Sequence, residues 1–216
     1  MGPISYSLLL GLTAALANVF GGALVEMVPQ SVALRGPSAG FLVLAGYLVI
    51  HFFEHTLTPH FHYGEETHAD EFVQVHKTYS VLAGLAIHAL FDGIAIASGF
   101  LVSNWLGWII FVAVFLHKVP EGFTVSSVML AGGRTRTSAW TSSLLLGLMT
   151  LAGAIIMVGL RHSVGAALPL SAGVTLYVAA SDLVPEVNRE PGIRMALVVF
   201  VGVAVLFVLD RFLHLH

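Results

Sequence analysis

Apolar residues along this chain come in long uninterrupted runs separated by short polar clusters, not in the alternation that a half-buried strand requires. Seven runs approach or exceed the ~20 residues that carry a helix across a bilayer core. They are Ile4 to Glu26, Ser38 to His55, Thr78 to Val102, Trp105 to Leu130, Ser138 to Leu160, Val164 to Glu186 and Arg194 to Leu213. All are far longer than the ~10-residue strands of a membrane barrel. The pattern predicts an all-α fold, a polytopic membrane helix bundle of about seven transmembrane helices, with 1–216 as one transmembrane domain. Most links are short and hold turn residues, as in Gly132-Gly133-Arg134 and Arg189-Glu190-Pro191-Gly192. Consecutive helices are therefore expected to be antiparallel neighbours. One link differs: 56–77, between the second and third helices, carries His60, His62, His68 and His76 among Glu65, Glu66, Asp70 and Glu71. It reads as a water-exposed, metal-attracting loop. Near the start, Ala15-Leu16-Ala17 looks like a signal cleavage site, but no basic leader precedes it and the apolar run continues to Val25. A retained first helix is expected.

Composition agrees and narrows the chemistry. The chain is 57% hydrophobic and only 10% charged, where a soluble domain carries about 25% charged residues; its mean hydropathy is +0.90. A net charge of −3 with scattered basic residues excludes a nucleic-acid partner. There is no Cys, so any metal must be held by His, Asp and Glu. The 11 histidines outnumber the 9 Lys plus Arg, which points to imidazole chemistry. Seven spans would place Lys77, Arg134, Arg136, Arg189 and Arg194 on the amino-terminal side and Arg35, Arg161 and Arg211 on the other. That bias predicts a cytoplasmic amino terminus and a cytoplasmic His-rich loop. A faint repeat pairs Ser7–Leu12 with Ser143–Leu148 and Ser38-Ala39-Gly40 with Ser171-Ala172-Gly173.

Two apolar runs contain groups that a membrane does not tolerate without a purpose. His88-Ala89-Leu90-Phe91-Asp92-Gly93 lies in the third and His117-Lys118-Val119-Pro120-Glu121-Gly122 in the fourth. Each sets an imidazole and a carboxylate four residues apart, on one helix face. Gly84, Ala95 and Gly99 extend the first face, and small residues there allow a neighbouring backbone to come close. Ala113 and Thr124 extend the second, and Pro120 removes the backbone bond to Leu116, so that helix should bend there. Facing each other, the two runs would offer two nitrogens and two carboxylates, a set that suits Zn²⁺ and accepts Fe²⁺, Mn²⁺ or Co²⁺.

The paired signature His-x-x-x-Asp-Gly and His-x-x-Pro-Glu-Gly resembles that of the ZIP metal transporters. An acidic His-rich loop before the first motif, and the run from Ser171-Ala172-Gly173 to Asp182-Leu183-Val184-Pro185-Glu186, are similar to that family too. The resemblance covers most of the chain from about Ser38. It implies movement of divalent metal toward the cytoplasm, an elevator-like motion and homodimers; in a prokaryote the protein would sit in the cell membrane. By position, the primary metal ligands would be His88, Asp92, His117 and Glu121. Three positions depart from the family pattern: Ala89 and Lys118 follow the two histidines, and Thr150 stands where many bacterial members have Glu. All three remove ligands from the family's second metal site. A unit positive charge ~6 Å from a divalent ion, at an effective dielectric of ~20, opposes it by about 5 kcal/mol. The expectation is a mononuclear site, with the Lys118 ammonium where a second cation sits elsewhere and pairing with Asp92 or Glu121. The family usually has eight helices, and loss of the first would leave the direction of the two metal helices unchanged.

Further residues suggest a path. His51-Phe52-Phe53-Glu54-His55 matches the His-x-x-Glu-His pattern of inverzincin proteases, but at a membrane-helix end it reads as an exit relay: His51, Glu54 and His55 hand metal to His60, His62 and His68. Asp182 and Glu186 are expected at an entrance. His214 and His216 add two terminal imidazoles. A transporter, not an enzyme, is the leading reading. The alternative is a seven-helix zinc-dependent membrane hydrolase, in which one of the four ligands would act as a base beside a zinc-bound water.

Overall fold

The computed structural model describes residues 21, 23–57 and 75–183, and the isolated positions 193, 197, 200 and 204 beyond them. The described residues form helices and their connections, with no strand among them. Helix α1 runs through 23–35, α2 is Ser38–Leu57, α3 is Val75–Val102, α4 is Asn104–Ala131, α5 is Arg136–Gly159 and α6 is Val164–Val178. A 3₁₀ turn, Arg161–Ser163, leads into α6, and a π-helical segment, Ala179–Leu183, follows it. The 25, 28, 24 and 21 residues of Thr78–Val102, Asn104–Ala131, Arg136–Gly159 and Arg161–Ser181 are each apolar and long enough to cross a membrane. The chain is thus an all-α integral membrane bundle. The expected last span, most of the first, and the loop over 58–74 lie outside the described residues.

The predicted boundaries of α2 to α5 hold within a few residues, because local chemistry stops each helix. Ser103 caps α4 by accepting from the Leu106 N–H at 3.1 Å, and Thr135 caps α5 by accepting from the Ser138 N–H at 3.1 Å. Between them Gly133 takes φ 73°, and the Arg134 N–H returns to the Met129 carbonyl at 2.9 Å, closing the end of α4 as a left-handed glycine turn does. One boundary moves. The first run was expected to end at Glu26, yet the helix continues through 35 and stops only at Gly36, φ 64°. Met27 and Ser31 explain it: both are buried one turn apart, and the Ser31 hydroxyl donates to the Met27 carbonyl at 2.7 Å. Ser31 thus belongs to a helix face turned inward, not to a link.

The helices pack mainly as α3 on α5 and on α4, and α2 on α6, with α3 also touching α6. Two of these contacts are glycine crossings of the same design. A methyl group on Gly93 would strike the Thr150 carbonyl, and one on Gly153 would strike the Leu90 carbonyl. In the second pair Gly46 lies against the Leu170 carbonyl and Gly173 against the Val43 carbonyl. Each glycine thus meets the carbonyl three residues before its partner glycine, an approach that only a missing side chain permits. Gly173 therefore matches Gly46 in packing, whereas Gly40, its partner in the sequence repeat, has open space around it. Along α4 and α5, Ser126 and Ser143 share a hydrogen bond of 2.8 Å, and Ser143 donates to the Gly122 carbonyl at 2.9 Å. Outward faces are apolar, with Trp108, Phe115, Phe123, Trp140 and Ile155 exposed, as a lipid-facing bundle requires.

Candidate metal centre

Helices α3 and α4 leave a one-residue link at Ser103 and lie side by side. Toward that link their seam is apolar and tight: Ala95 on α3 clusters with Leu106, Ile110, Ala113 and Val114 on α4 and with Leu168 and Ala172 on α6. Gly99 faces the Gly107 backbone there, so the small residues expected beside the ligands do allow the close approach. Farther along, the same seam turns polar. His88 and Asp92 from α3 meet His117 and Glu121 from α4, and all four are buried. One ligand atom from each lies within 4.8 Å of all the others. The line Ala113, His117, Glu121, Val125 is the buried face of α4, and α4 runs on through Pro120 without interruption.

Asp92 Oδ2 is the hub. His88 Nε2 stands 3.3 Å from it along α3, and His117 Nε2 reaches it at 3.1 Å from α4. His117 Nε2 is also 3.7 Å from Glu121 Oε2. The other ring nitrogen of His117, Nδ1, donates to the Ala113 carbonyl at 3.0 Å. That bond orients the ring so that Nε2 faces the carboxylates, the usual way a metal-binding imidazole is held from behind. The two imidazole centroids are 5.6 Å apart. Among the described residues, Glu121 Oε1 and His88 Nδ1 are buried with no hydrogen-bond partner. A buried carboxylate oxygen left so is costly, and a cation would satisfy it.

Lys118 completes the cluster. Its Nζ lies 2.7 Å from Asp92 Oδ2 and 2.5 Å from Glu121 Oε2. The sequence suggested one carboxylate or the other as its partner; the ammonium bridges both. Ala89 is fully buried in an apolar cluster with Val81, Leu85, Val125, Val128 and Leu146. The Thr150 hydroxyl donates to the Leu146 carbonyl at 3.2 Å, and its own carbonyl is the one packed against Gly93. Ala89 has no donor atom to offer the cluster, and Lys118 brings it a positive charge.

Two of the expected path residues lie toward one end of the bundle. His51 and His55 are exposed on the last turns of α2. Tyr177, near the end of α6, sets its ring 5.9 Å from that of His51 and 5.0 Å from that of Tyr47. The segment Ala179–Leu183 that carries Asp182 therefore continues from the level of His51, at the end of the bundle where the exit relay was expected. The side chains of Glu54, His76 and Asp182, and His60, His62, His68, Glu186, His214 and His216 altogether, lie outside the described residues. Sequence reasoning missed two features here: Gly93 as the contact with α5, although it stands in the motif itself, and Tyr177, which no spacing links to His51.

A membrane-crossing bundle that buries two imidazoles and two carboxylates around one point has the donor set of a divalent-metal site. Comparison with known sequences gives the family. The sequence profile of the ZIP zinc transporters matches residues 64–210, well over half of the chain, and the chain belongs to that family. Among similar proteins, the human zinc transporter ZIP5 is 34% identical over 118 residues, covering 53% of this chain and 22% of the relative. Zinc transporter ZIP13 of Gallus gallus is 28% identical over 127 residues, 54% of this chain and 35% of the relative. Zinc transporter ZIP9-B of Xenopus laevis is 32% identical over 117 residues, 49% of this chain and 39% of the relative. The matched part thus spans between about a fifth and two fifths of these relatives' lengths.

Proposed function

We propose that this chain carries a divalent cation, zinc foremost, across the membrane toward the cytoplasm, bound as a single ion by His88, Asp92, His117 and Glu121. The observation that carries the reading is the convergence of four buried donor atoms within 4.8 Å. Their two-nitrogen, two-oxygen chemistry suits Zn²⁺ and admits Fe²⁺, Mn²⁺ and Co²⁺ as further cargo. The zinc-transporter names of the relatives support the same cargo.

Lys118 gives the cycle its second half. Two carboxylates buried without a counter-charge would be strongly destabilising, and the ammonium that bridges them removes that cost when no cargo is bound. An arriving divalent ion displaces Nζ from Asp92 and Glu121, and Nζ returns as the ion leaves. The charge of Lys118, with Ala89 and Thr150 contributing no ligand, keeps the site mononuclear. Binding needs neutral imidazole and ionised carboxylate, so protons compete with metal and favour release on an acidic side. The end carrying His51, Glu54, His55 and the His-rich loop is the release end, which then faces the cytoplasm together with the amino terminus. A homodimer in the cell membrane completes the reading.

Zinc uptake into proteoliposomes tests it. Glu121→Ala and His88→Ala are each expected to lower flux by at least about tenfold, since even an outer partner of a metal ligand is worth that much. Flux unchanged in Glu121→Ala would defeat the ligand assignment. Lys118→Ala is expected to change the order of preference among Zn²⁺, Mn²⁺ and Co²⁺ or to raise the metal stoichiometry to two.

A further inference from the structure

The last two turns of α2 hold a second arrangement of imidazoles, apart from the central cluster. His51 and His55 are four residues apart, so their side chains project from one helix face. Their ring centroids are 4.0 Å apart with 35° between the planes. His55 Nδ1 donates to the His51 carbonyl at 3.0 Å, which settles which nitrogen of that ring is left to act as a ligand: Nε2. His51 is held from the other side, its ring edge-on to Tyr177 at 5.9 Å, while Tyr177 is itself braced edge-on by Tyr47 at 5.0 Å. Glycine crossings at Gly46 and Gly173 fix α2 against α6 just before this point. The pair is therefore carried on a rigid helix, not on the loop that follows.

We propose that His51 and His55 form a discrete two-imidazole chelating site for a borderline divalent transition cation (Zn²⁺, Ni²⁺ or Cu²⁺). Two histidines one helical turn apart are the zinc-holding element of helical metal sites. Imidazole selects these ions over Mg²⁺ and Ca²⁺, which prefer oxygen. Two protein ligands leave the remaining positions to water or to a further donor. The site is then weaker than the buried four-donor cluster and exchanges its ion readily. Both rings are exposed, so neither entry nor departure of the ion needs the bundle to open. Cation binding here does not depend on transport and can be measured without it.

The test uses the full chain in detergent, with Glu121→Ala to disable the central cluster and His60, His62, His68, His76, His214 and His216 all changed to Ala. The probe is Cu²⁺ already held by nitrilotriacetate, whose open positions take up a pair of neighbouring imidazoles. Titration with electron paramagnetic resonance should show one chelate bound per chain with a two-nitrogen signature. Either His51→Ala or His55→Ala should weaken that binding at least about tenfold, and the double change should abolish it. Moving the pair one residue along, by Phe52→His and Thr56→His in the double Ala background, should restore the two-nitrogen signature. Absence of stoichiometric binding in the starting chain would overturn the proposal, as would binding that survives loss of both histidines. Zinc flux through a chain with an intact Glu121 reports on the central cluster separately, so the two assignments fail independently.

Discussion

The centre of the bundle and the end of α2 each hold a pair of imidazoles, in opposite surroundings. His88 and His117 are buried beside Asp92 and Glu121, with Lys118 Nζ at 2.7 Å from one carboxylate. His51 and His55 are exposed, their rings tilted against each other, and His51 is braced by a tyrosine. At the centre, every charge must be answered by another charge, because desolvation is severe and removing one partner of a buried set costs ~3–5 kcal/mol. At the helix end both rings are exposed, so their removal leaves no buried charge unanswered. Spacing in the sequence identifies both places. What surrounds them sets how tightly an ion is held and how much the fold depends on it.

Substitutions should separate the two regions in that order. Lys118→Ala leaves Asp92 and Glu121 without their bridging ammonium, so without added metal the chain should lose about 3–5 kcal/mol of stability. Saturating zinc should return much of it, since a ligand at 100 times its dissociation constant contributes ~2.7 kcal/mol. Thermal unfolding with and without zinc checks this; a variant as stable as the parent in the absence of metal would remove Lys118 from its place in the cycle. Gly93→Ala should come next. Its new methyl meets the Thr150 carbonyl and the Ala154 amide, which are backbone atoms and cannot turn aside. Overpacking of this kind costs ~1–3 kcal/mol, and because Asp92 is the preceding residue, zinc affinity at the centre should fall with it. The smallest effect belongs to His51→Ala and His55→Ala. Stability should stay within about 0.5 kcal/mol of the parent, as for other exposed positions, and zinc affinity at the centre should not change.

Much of this was legible in the sequence, for identifiable reasons. Helix ends at Ser103, Gly132-Gly133 and Thr135 carry their own capping chemistry, so α4 and α5 begin and end where local residues say. The buried cluster of four was legible because a helix turns His88 and Asp92, and His117 and Glu121, onto single faces. The continuation of α1 to 35 was not, because the polar Ser31 is buried by forming its hydrogen bond to Met27 within the helix, which composition alone cannot show. The α3 contact with α5 through Gly93 was hidden behind the motif's apparent chemistry.

Zinc K-edge X-ray absorption is the most direct test of the central claim, carried out with one equivalent of Zn²⁺ and then two on a chain in which His51, His55, His60, His62, His68, His76, His214 and His216 are changed to Ala. The account predicts one bound zinc with two imidazole nitrogens and carboxylate oxygens at about 2.0–2.2 Å, and no further zinc retained at the second equivalent. A second zinc scatterer at about 3.5–4 Å, the spacing of two-metal sites, or a bound zinc with no imidazole in its shell, would contradict it.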